Sequence, residues 1–144
     1  MLKGIPKILS PELLMRLCEM GHGDRLVIAD ANFPSASTGK DKYVLRMDGH
    51  SGQAVLDAIL ELFPLDPYCD KAVYLMEKVP GDQVETPIWD SYRESLRQAG
   101  YQPEEVLDFY ERYQFYEESA KAYLIIATGE SALYANIMLQ KGVI

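Results

Sequence analysis

Residues 19–35 read EMGHGDRLVIADANFPS, and the centre of this stretch indicates the kind of fold to expect. RLVIAD (25–30) is an apolar run with the length of a strand, and it ends at Asp30. ANFPSASTGKDK (31–42) is rich in Ser, Thr, Gly and Pro and is predicted to be a loop. On the other side of the strand, His22 lies between two glycines. The stretch therefore predicts a strand with an imidazole in the preceding turn and a carboxylate at its far end.

The segment before this strand carries the signals of a helix. Ser10-Pro11-Glu12 combines a hydroxyl N-cap, a proline at the first helical position and an acidic residue in the first turn. Three leucines and a methionine follow at helical spacing, and Gly21 is a typical C-terminal stop. The first element of the fold is therefore predicted to be a helix that leads into the strand.

Further along the chain, predicted strands alternate with predicted helices. The helices run from Ser51 to Pro64, from Thr86-Pro87 to Gly100 and over 112–122, and the strands cover 43–48, 71–76, 105–110 and 123–128. The tail ANIMLQKGV (135–143) fits either an edge strand or a helical turn. This alternation predicts a single domain over residues 1–144 with a three-layer α/β fold, in which helices flank a mostly parallel β-sheet.

The charge balance narrows the class of partner. The 144 residues include 14 Lys and Arg against 22 Asp and Glu, which gives a net charge of −8. Nucleic acids and anionic membrane surfaces are bound through Lys and Arg, so neither partner is expected. No apolar run reaches the roughly 20 residues of a membrane helix, and prolines and charges interrupt the N-terminal segment, which argues against a signal peptide. We therefore expect a cytoplasmic protein that binds a neutral or weakly charged ligand.

The sequence contains none of the common cofactor or metal motifs. GxGxxG, P-loop and GxSxG patterns are absent, and the glycines that flank His22 provide no metal ligand. Cys18 and Cys69 are far apart and outside any CxxC or Cys/His cluster. Cys18 falls among leucines and is expected to be a buried thiol. We therefore predict no cofactor and no metal.

His22 and Asp30 are predicted to lie at opposite ends of the same strand. In open α/β sheets, ligands bind beyond the carboxyl ends of the strands, which is where Asp30 is expected and His22 is not. The two side chains can therefore meet only if the loop folds back or a neighbouring chain supplies one of them. The alternative is that both are ordinary solvated or capping groups.

A second stretch, RYQFYEESAKAYLIIATGESALYANIMLQKGV (112–143), surrounds a predicted buried strand with polar and aromatic residues. Its candidate functional side chains are Arg112, Tyr116, Glu117, Lys121, Tyr134 and Asn136. The alternative is structural: the aromatic residues would pack in the core or in an interface, and Glu117 and Lys121 would form an i,i+4 helix pair.

Together the two stretches resemble the fucose mutarotase and ribose pyranase family of sugar-anomer isomerases. The resemblance rests on LSPELLMRLCEMGHGDRLVIADANFPS (9–35), TPIWDSY (86–92) and FYEESAKAYLIIATGESALYANIMLQKGV (115–143). The combination of GHGD, DANFP, TGE and YANI at these separations is specific, and it covers nearly the whole chain. GHGD, Asn32-Phe33-Pro34 and TPIWDSY are similar to the L-fucose branch of the family rather than to the ribose branch.

The resemblance implies roles for individual residues. His22 matches the catalytic histidine of the family, and the matches to sugar-binding positions are Asp30, Arg112, Tyr134, Ala135 and Asn136, with Tyr116, Glu117 and Lys121 as additional candidates. It also implies a cofactor-free isomerase that acts on a monosaccharide. Members of the family form rings, often stacked as decamers, with active sites at subunit interfaces, and such an interface would bring His22 to Asp30.

The activity that the resemblance implies is interconversion of the α and β anomers of L-fucose. Ring opening removes a proton from the anomeric hydroxyl and adds one to the ring oxygen, and imidazole, which titrates near neutrality, suits both transfers. Three alternatives stay open: interconversion of the pyranose and furanose forms of D-ribose, a non-catalytic sugar-binding module on the same fold, and a regulatory domain that docks on a protein.

Overall fold

A six-stranded sheet forms the centre of the computed structural model, which describes residues 2–144. The strands are β1 (Arg25–Ala29), β2 (Tyr43–Met47), β3 (Val73–Met76), β4 (Leu107–Tyr110), β5 (Leu124–Thr128) and β6 (Ile137–Gln140). Their spatial order is β2-β5-β1-β6-β3-β4. Neighbouring strands are parallel except where β6 pairs with β1 and β3, and both of those pairs are antiparallel. The prediction of a mostly parallel sheet is confirmed.

The helices are α1 (Pro11–Glu19), α2 (Ser35–Thr38), α3 (Gly52–Leu60), α4 (Pro87–Gln98), α5 (Pro103–Val106) and α6 (Arg112–Lys121). Two predicted serine caps are present: Ser10 accepts a hydrogen bond from the backbone N–H of Leu13, and Ser51 from that of Ala54. These bonds satisfy N–H groups that the first turn of a helix leaves unpaired. Among residues 2–144, no helix has the length and apolar character that crossing a membrane requires.

Strand β1 is buried on both faces, and its side chains contribute to two separate hydrophobic clusters. Leu26 and Ile28 belong to a cluster with residues of α1, α3 and α4, whereas Val27 and Ala29 belong to a cluster with Phe115 of α6. Because successive side chains of a strand point to opposite faces, helices must cover both sides of the sheet. The three-layer α/β fold is therefore as predicted.

The C-terminal tail differs from its prediction, since it forms neither an edge strand nor a helical turn. It contains β6, which lies in the middle of the sheet between β1 and β3. Ile137, Met138 and Leu139 are all buried. Consecutive apolar residues of this kind suit a strand that is covered on both faces.

Smaller differences concern local structure. The predicted loop 31–42 contains the short helix α2, and the predicted strand 105–110 begins only at Leu107 because α5 occupies the residues before it. Thr86 precedes α4, but its side chain makes no capping hydrogen bond. Cys18 is exposed rather than buried, because α1 directs the neighbouring Leu17 to the core instead.

Candidate active site

A pocket of about 370 Å³ lies beyond the carboxyl end of β1. It is lined by five of the predicted site residues, namely Asp30, Arg112, Tyr116, Tyr134 and Asn136. Because β6 is antiparallel to β1, the residues that precede β6 lie beside those that follow β1. The sheet thus brings together side chains that are about a hundred residues apart, at the position where α/β sheets usually bind ligands.

Asp30 and Asn136 form a closed pair of hydrogen bonds at the base of this pocket. The backbone N–H of Asp30 donates to Oδ1 of Asn136 (2.8 Å), and Nδ2 of Asn136 donates to Oδ2 of Asp30 (3.0 Å). The backbone N–H of Asn32 donates to Oδ1 of Asp30 (2.9 Å). These contacts fix the orientation of the Asn136 amide, since its oxygen faces a donor and its nitrogen faces an acceptor.

Burial sets the electrostatics of Asp30. The residue is only 5% exposed, and desolvation raises the pKa of its carboxyl above the ordinary value, although backbone hydrogen bonds and the amide of Asn136 act in the opposite direction. A buried carboxylate has a strong requirement for hydrogen-bond donors. Asp30 is therefore suited to accept hydrogen bonds from the hydroxyl groups of a ligand.

Tyr134 is held in an unusual backbone conformation beside this pair. Its φ of 57° is the only positive value for a non-glycine residue between residues 2 and 144. The phenolic hydroxyl donates to Asp82 (2.5 Å) and accepts from the backbone N–H of Val79 (3.3 Å), while its carbonyl accepts from Nε1 of Trp89 (2.8 Å). Strained residues of this kind persist where their surroundings over-determine them, and they concentrate at functional sites.

Ala135 contributes through its backbone. It is buried, and its carbonyl accepts a hydrogen bond from the hydroxyl of Tyr92 (2.7 Å). Tyr92 is itself completely buried, which raises the pKa of its phenol. The phenol therefore remains a donor and ties the turn that carries Tyr134 to helix α4.

Aromatic rings and a guanidinium form another wall of the pocket. The ring of Phe33 stacks on that of Tyr116, with centroids 5.5 Å apart and an interplanar angle of 25°. The guanidinium of Arg112, at the start of α6, lies 5.8 Å from the centre of the Tyr116 ring. This wall offers an apolar face and several hydrogen-bond donors to a ligand.

His22 lies at the other end of β1, away from the pocket. Five residues of strand, about 17 Å at the usual rise, separate the two ends. Nε2 of His22 is 3.0 Å from Oδ1 of Asp66, the imidazole is about half exposed, and Tyr68 packs edge-on against it. The turn is fixed by Gly23, whose φ of 84° favours glycine and whose N–H donates to the carbonyl of Lys141.

Glu117 and Lys121 do not line the pocket of their own chain. Lys121 Nζ bonds Glu118 (2.7 Å) rather than Glu117, so an i,i+3 pair takes the place of the i,i+4 pair that the structural alternative implied. Glu118 also bonds Arg25 (2.7 Å), and this group lies near the amino end of β1. Among residues 2–144, no three His, Cys, Asp or Glu side chains are placed to share a metal ion.

Sequence reasoning missed Asp66, the partner of His22, and Asp82, the partner of Tyr134. Each is 44 or more residues from the group that it contacts, and neither stands directly at the end of a predicted strand, so no local pattern indicates it. Trp89 and Tyr92 belong to TPIWDSY, which contributes to the family resemblance, but their function as supports of the Tyr134 turn depends on tertiary contacts.

Comparisons with known proteins show similar chains and similar folds. A fucose mutarotase of Danio rerio is 50% identical to this chain, covering 99% of this chain and 94% of the relative. The crystal structure of FucU from Bifidobacterium longum is similar at a TM-score of 0.96 with 58% identity, and covers 99% of both chains. A fucose mutarotase from Streptococcus pneumoniae, solved in complex with L-fucose, is similar at a TM-score of 0.93 with 48% identity and the same coverage.

The family model described as the RbsD / FucU transport protein family matches residues 3–144. The match spans the strand that precedes Asp30, the turn that carries Tyr134 and the segment around His22. With the relatives above, which are similar over their full length, it shows that this chain belongs to the RbsD/FucU family.

Proposed function

We propose that this protein is an isomerase that interconverts the α and β anomers of L-fucose. The observation that carries the proposal is the pocket at the end of β1, which combines Asp30, Asn136 and Tyr134 with a wall of aromatic rings. The same sugar is bound in the similar Streptococcus pneumoniae protein. Family membership supports the activity, and the pocket independently supports a sugar as the ligand.

The pocket suits a neutral monosaccharide. Asp30 supplies hydrogen-bond acceptors and Arg112 supplies donors. The hydroxyl groups of a sugar can therefore be bound both as donors and as acceptors. Phe33 and Tyr116 provide an apolar surface for the C–H face of the ring and for the methyl group of fucose. The net charge of −8 also favours a neutral ligand over an anionic one.

His22 is proposed as the acid and base of the reaction. In the net chemical change, the anomeric oxygen loses a proton, the bond from the anomeric carbon to the ring oxygen breaks as a carbonyl forms, and the ring oxygen gains a proton. Rotation and reclosure return the proton and give the other anomer. No electrons are transferred, so proton transfer by a positioned side chain is the main catalytic requirement.

A second copy of the chain is proposed to deliver His22. The imidazole is too far from Asp30 of its own chain, whereas its half-exposed ring is available to a neighbour. Apolar side chains are exposed near both partners: Tyr68 beside His22, and Leu133 at the pocket. A head-to-tail contact between these two surfaces forms a ring when its rotation closes, and we propose a decamer of stacked rings. Both cysteines are free thiols, and thiols stay reduced in the cytoplasm. We therefore propose the cytoplasm as the location of the protein.

Saturation-transfer NMR on the anomeric protons tests the proposal. Catalytic amounts of protein are expected to accelerate anomer exchange of L-fucose much more than they accelerate ring exchange of D-ribose. His22→Ala should reduce this acceleration by about 100- to 10,000-fold, which is the usual contribution of one side chain that transfers a proton. His50→Ala is the matched control, since the chain has only these two histidines. Binding of fucose without any acceleration would instead identify a sugar-binding module.

A further inference from the structure

The imidazole of His22 is held at one of its two nitrogens. Nε2 lies 3.0 Å from Oδ1 of Asp66, while Nδ1 makes no hydrogen bond among residues 2–144. The side chain of Asp66 is only 4% exposed, in contrast to the 48% exposure of the imidazole. The ring is therefore anchored on its Nε2 side and open on its Nδ1 side.

Asp66 is placed to act only as an acceptor. Besides His22, the backbone N–H of Tyr68 donates to its Oδ1 (3.0 Å), and Nε2 of Gln140 donates to its Oδ2 (2.8 Å). These hydrogen bonds, led by that of Tyr68, lower the pKa of the Asp66 carboxyl, so it is ionised at neutral pH. An ionised carboxylate has no proton to donate, so the nitrogen that faces it must carry one.

Gln140 is in turn oriented by Arg25. Nε of Arg25 donates to Oε1 of Gln140 (2.9 Å), and because a guanidinium has only donors, the amide nitrogen must face Asp66. The two residues are direct partners in the antiparallel pairing of β1 with β6. The carbonyl of Gln140 also accepts from the backbone N–H of Asp66 (3.1 Å), and Glu118 holds the far side of Arg25.

We propose that this chain of contacts, from Arg25 through Gln140 and Asp66, fixes neutral His22 in its Nε2–H tautomer and makes Nδ1 the nitrogen that exchanges protons with the sugar. Gln140 is then a positioning residue, which acts through Asp66 and does not touch the substrate. The assignment of a reactive nitrogen rests on the proposed function. In that reaction, Nδ1 takes the proton of the anomeric hydroxyl as the ring bond breaks, and it delivers the same proton to the former ring oxygen.

The tautomer can be measured without any assay of activity. In long-range ¹H–¹⁵N spectra of the ¹⁵N-labelled full-length protein, taken where His22 is neutral, Nε2 should have the shift of a protonated nitrogen and Nδ1 that of an unprotonated one. The protein has two histidines, so a His50→Gln variant assigns the signals. A proton on Nδ1, or an even mixture of tautomers, overturns the proposal.

Gln140→Leu tests the positioning role. The Nε2–H population of His22 should fall, and kcat for fucose anomer exchange should decrease about tenfold at unchanged KM, because small misplacements of a catalytic group slow the reaction strongly. Gln98→Leu is the matched control, since Gln98 also donates to a carboxylate, that of Glu94, but lies on the exposed side of α4. Loss of activity with an unchanged tautomer in Gln140→Leu would show a merely structural role.

The two proposals fail in distinguishable ways. If the protein does not accelerate anomer exchange but His22 is in the Nε2–H form, the proposed function fails and the tautomer assignment stands. If exchange is accelerated and Nδ1 carries the proton, the function stands and the assignment of the reactive nitrogen is overturned.

Discussion

Two buried aspartates of this chain have opposite electrostatic environments. Burial raises the pKa of Asp30, whereas hydrogen bonds lower the pKa of Asp66, the strongest being that from the backbone N–H of Tyr68. A raised carboxyl pKa means that ionisation opposes folding, and a lowered one means that ionisation favours it. The ionised carboxylate of Asp30 therefore lowers the stability of the folded protein at neutral pH. This is typical of a group that binds a ligand.

The pH dependence of Asp66→Asn should reveal the lowered pKa. The stabilisation from ionised Asp66 is complete above the unfolded pKa of about 3.9 and is lost as the pH falls through the lower folded pKa. The Tm of the variant should therefore lie further below that of the unmodified protein at about pH 7 than at about pH 2.5. Thermal unfolding of both proteins across this range measures the difference, and a gap that is constant with pH would contradict the argument.

Asp82 offers a second test at a single residue. Its carboxylate accepts a hydrogen bond from the hydroxyl of Tyr134, and the residue lines the pocket. Asp82 therefore orients one wall of the site. Hydrogen bonds to charged groups are among the stronger ones, and Asp82→Asn is expected to raise KM for fucose about tenfold with a smaller change in kcat. Glu85→Gln removes an exposed charge from the same loop and should leave both constants unchanged. If the two variants change KM and kcat equally, Asp82 does not orient the site.

At the scale of elements, helix α4 supports the turn that contains Tyr134. Trp89 donates to the carbonyl of Tyr134, and the buried hydroxyl of Tyr92 donates to that of Ala135. Gly52, the first residue of α3, leaves room for the Tyr92 hydroxyl, because a Cβ at this position would overlap it. The contact between α3 and α4 thus helps to hold Tyr92 where its hydroxyl supports the turn that contains Tyr134.

A double-mutant cycle at this contact measures that support. Gly52→Ala should lower the free energy of unfolding by about 1–3 kcal/mol, since overpacking forces its neighbours to move. Tyr92→Phe removes the overlapping oxygen. The double variant should therefore lose less free energy of unfolding than the two single variants lose together. Urea unfolding of all four proteins gives the coupling. Simple additivity would show that the two residues do not meet.

How far the sequence predicts the elements depends on whether their signals are local. The caps at Ser10 and Ser51 and the apolar run before Asp30 act within a few residues, and those elements were predicted correctly. The position of β6 was not, because its run of three apolar residues is compatible with a strand covered on both faces but is too short to distinguish such a strand from other elements. Its antiparallel direction is nevertheless what brings Asn136 to Asp30.

The same limit applies to the site as a whole. Asp30 was placed at the binding end of the sheet from its position after a strand, and the separation of His22 followed from the same reasoning. The carboxylates of Asp66 and Asp82 were not anticipated, because their contacts join distant segments and depend on how loops pack. The contacts that orient His22 and Tyr134 are tertiary, whereas the residues themselves belong to recognisable motifs.

At the scale of the whole molecule, we propose that two copies of the chain build each site, one supplying His22 and the other supplying Asp30. His22→Ala and Asp30→Asn should each be nearly inactive on L-fucose when tested alone. When they are co-expressed in equal amounts, about one interface in four should combine an intact His22 with an intact Asp30 in a head-to-tail assembly.

Saturation-transfer NMR of L-fucose with this mixed assembly tests the claim most directly, once native mass spectrometry has verified that both chains are present in one oligomer. We predict recovery of anomer exchange to about a quarter of the unmodified rate. A mixed oligomer as inactive as its two parents would contradict the account, because it would mean that each site takes His22 and Asp30 from the same chain.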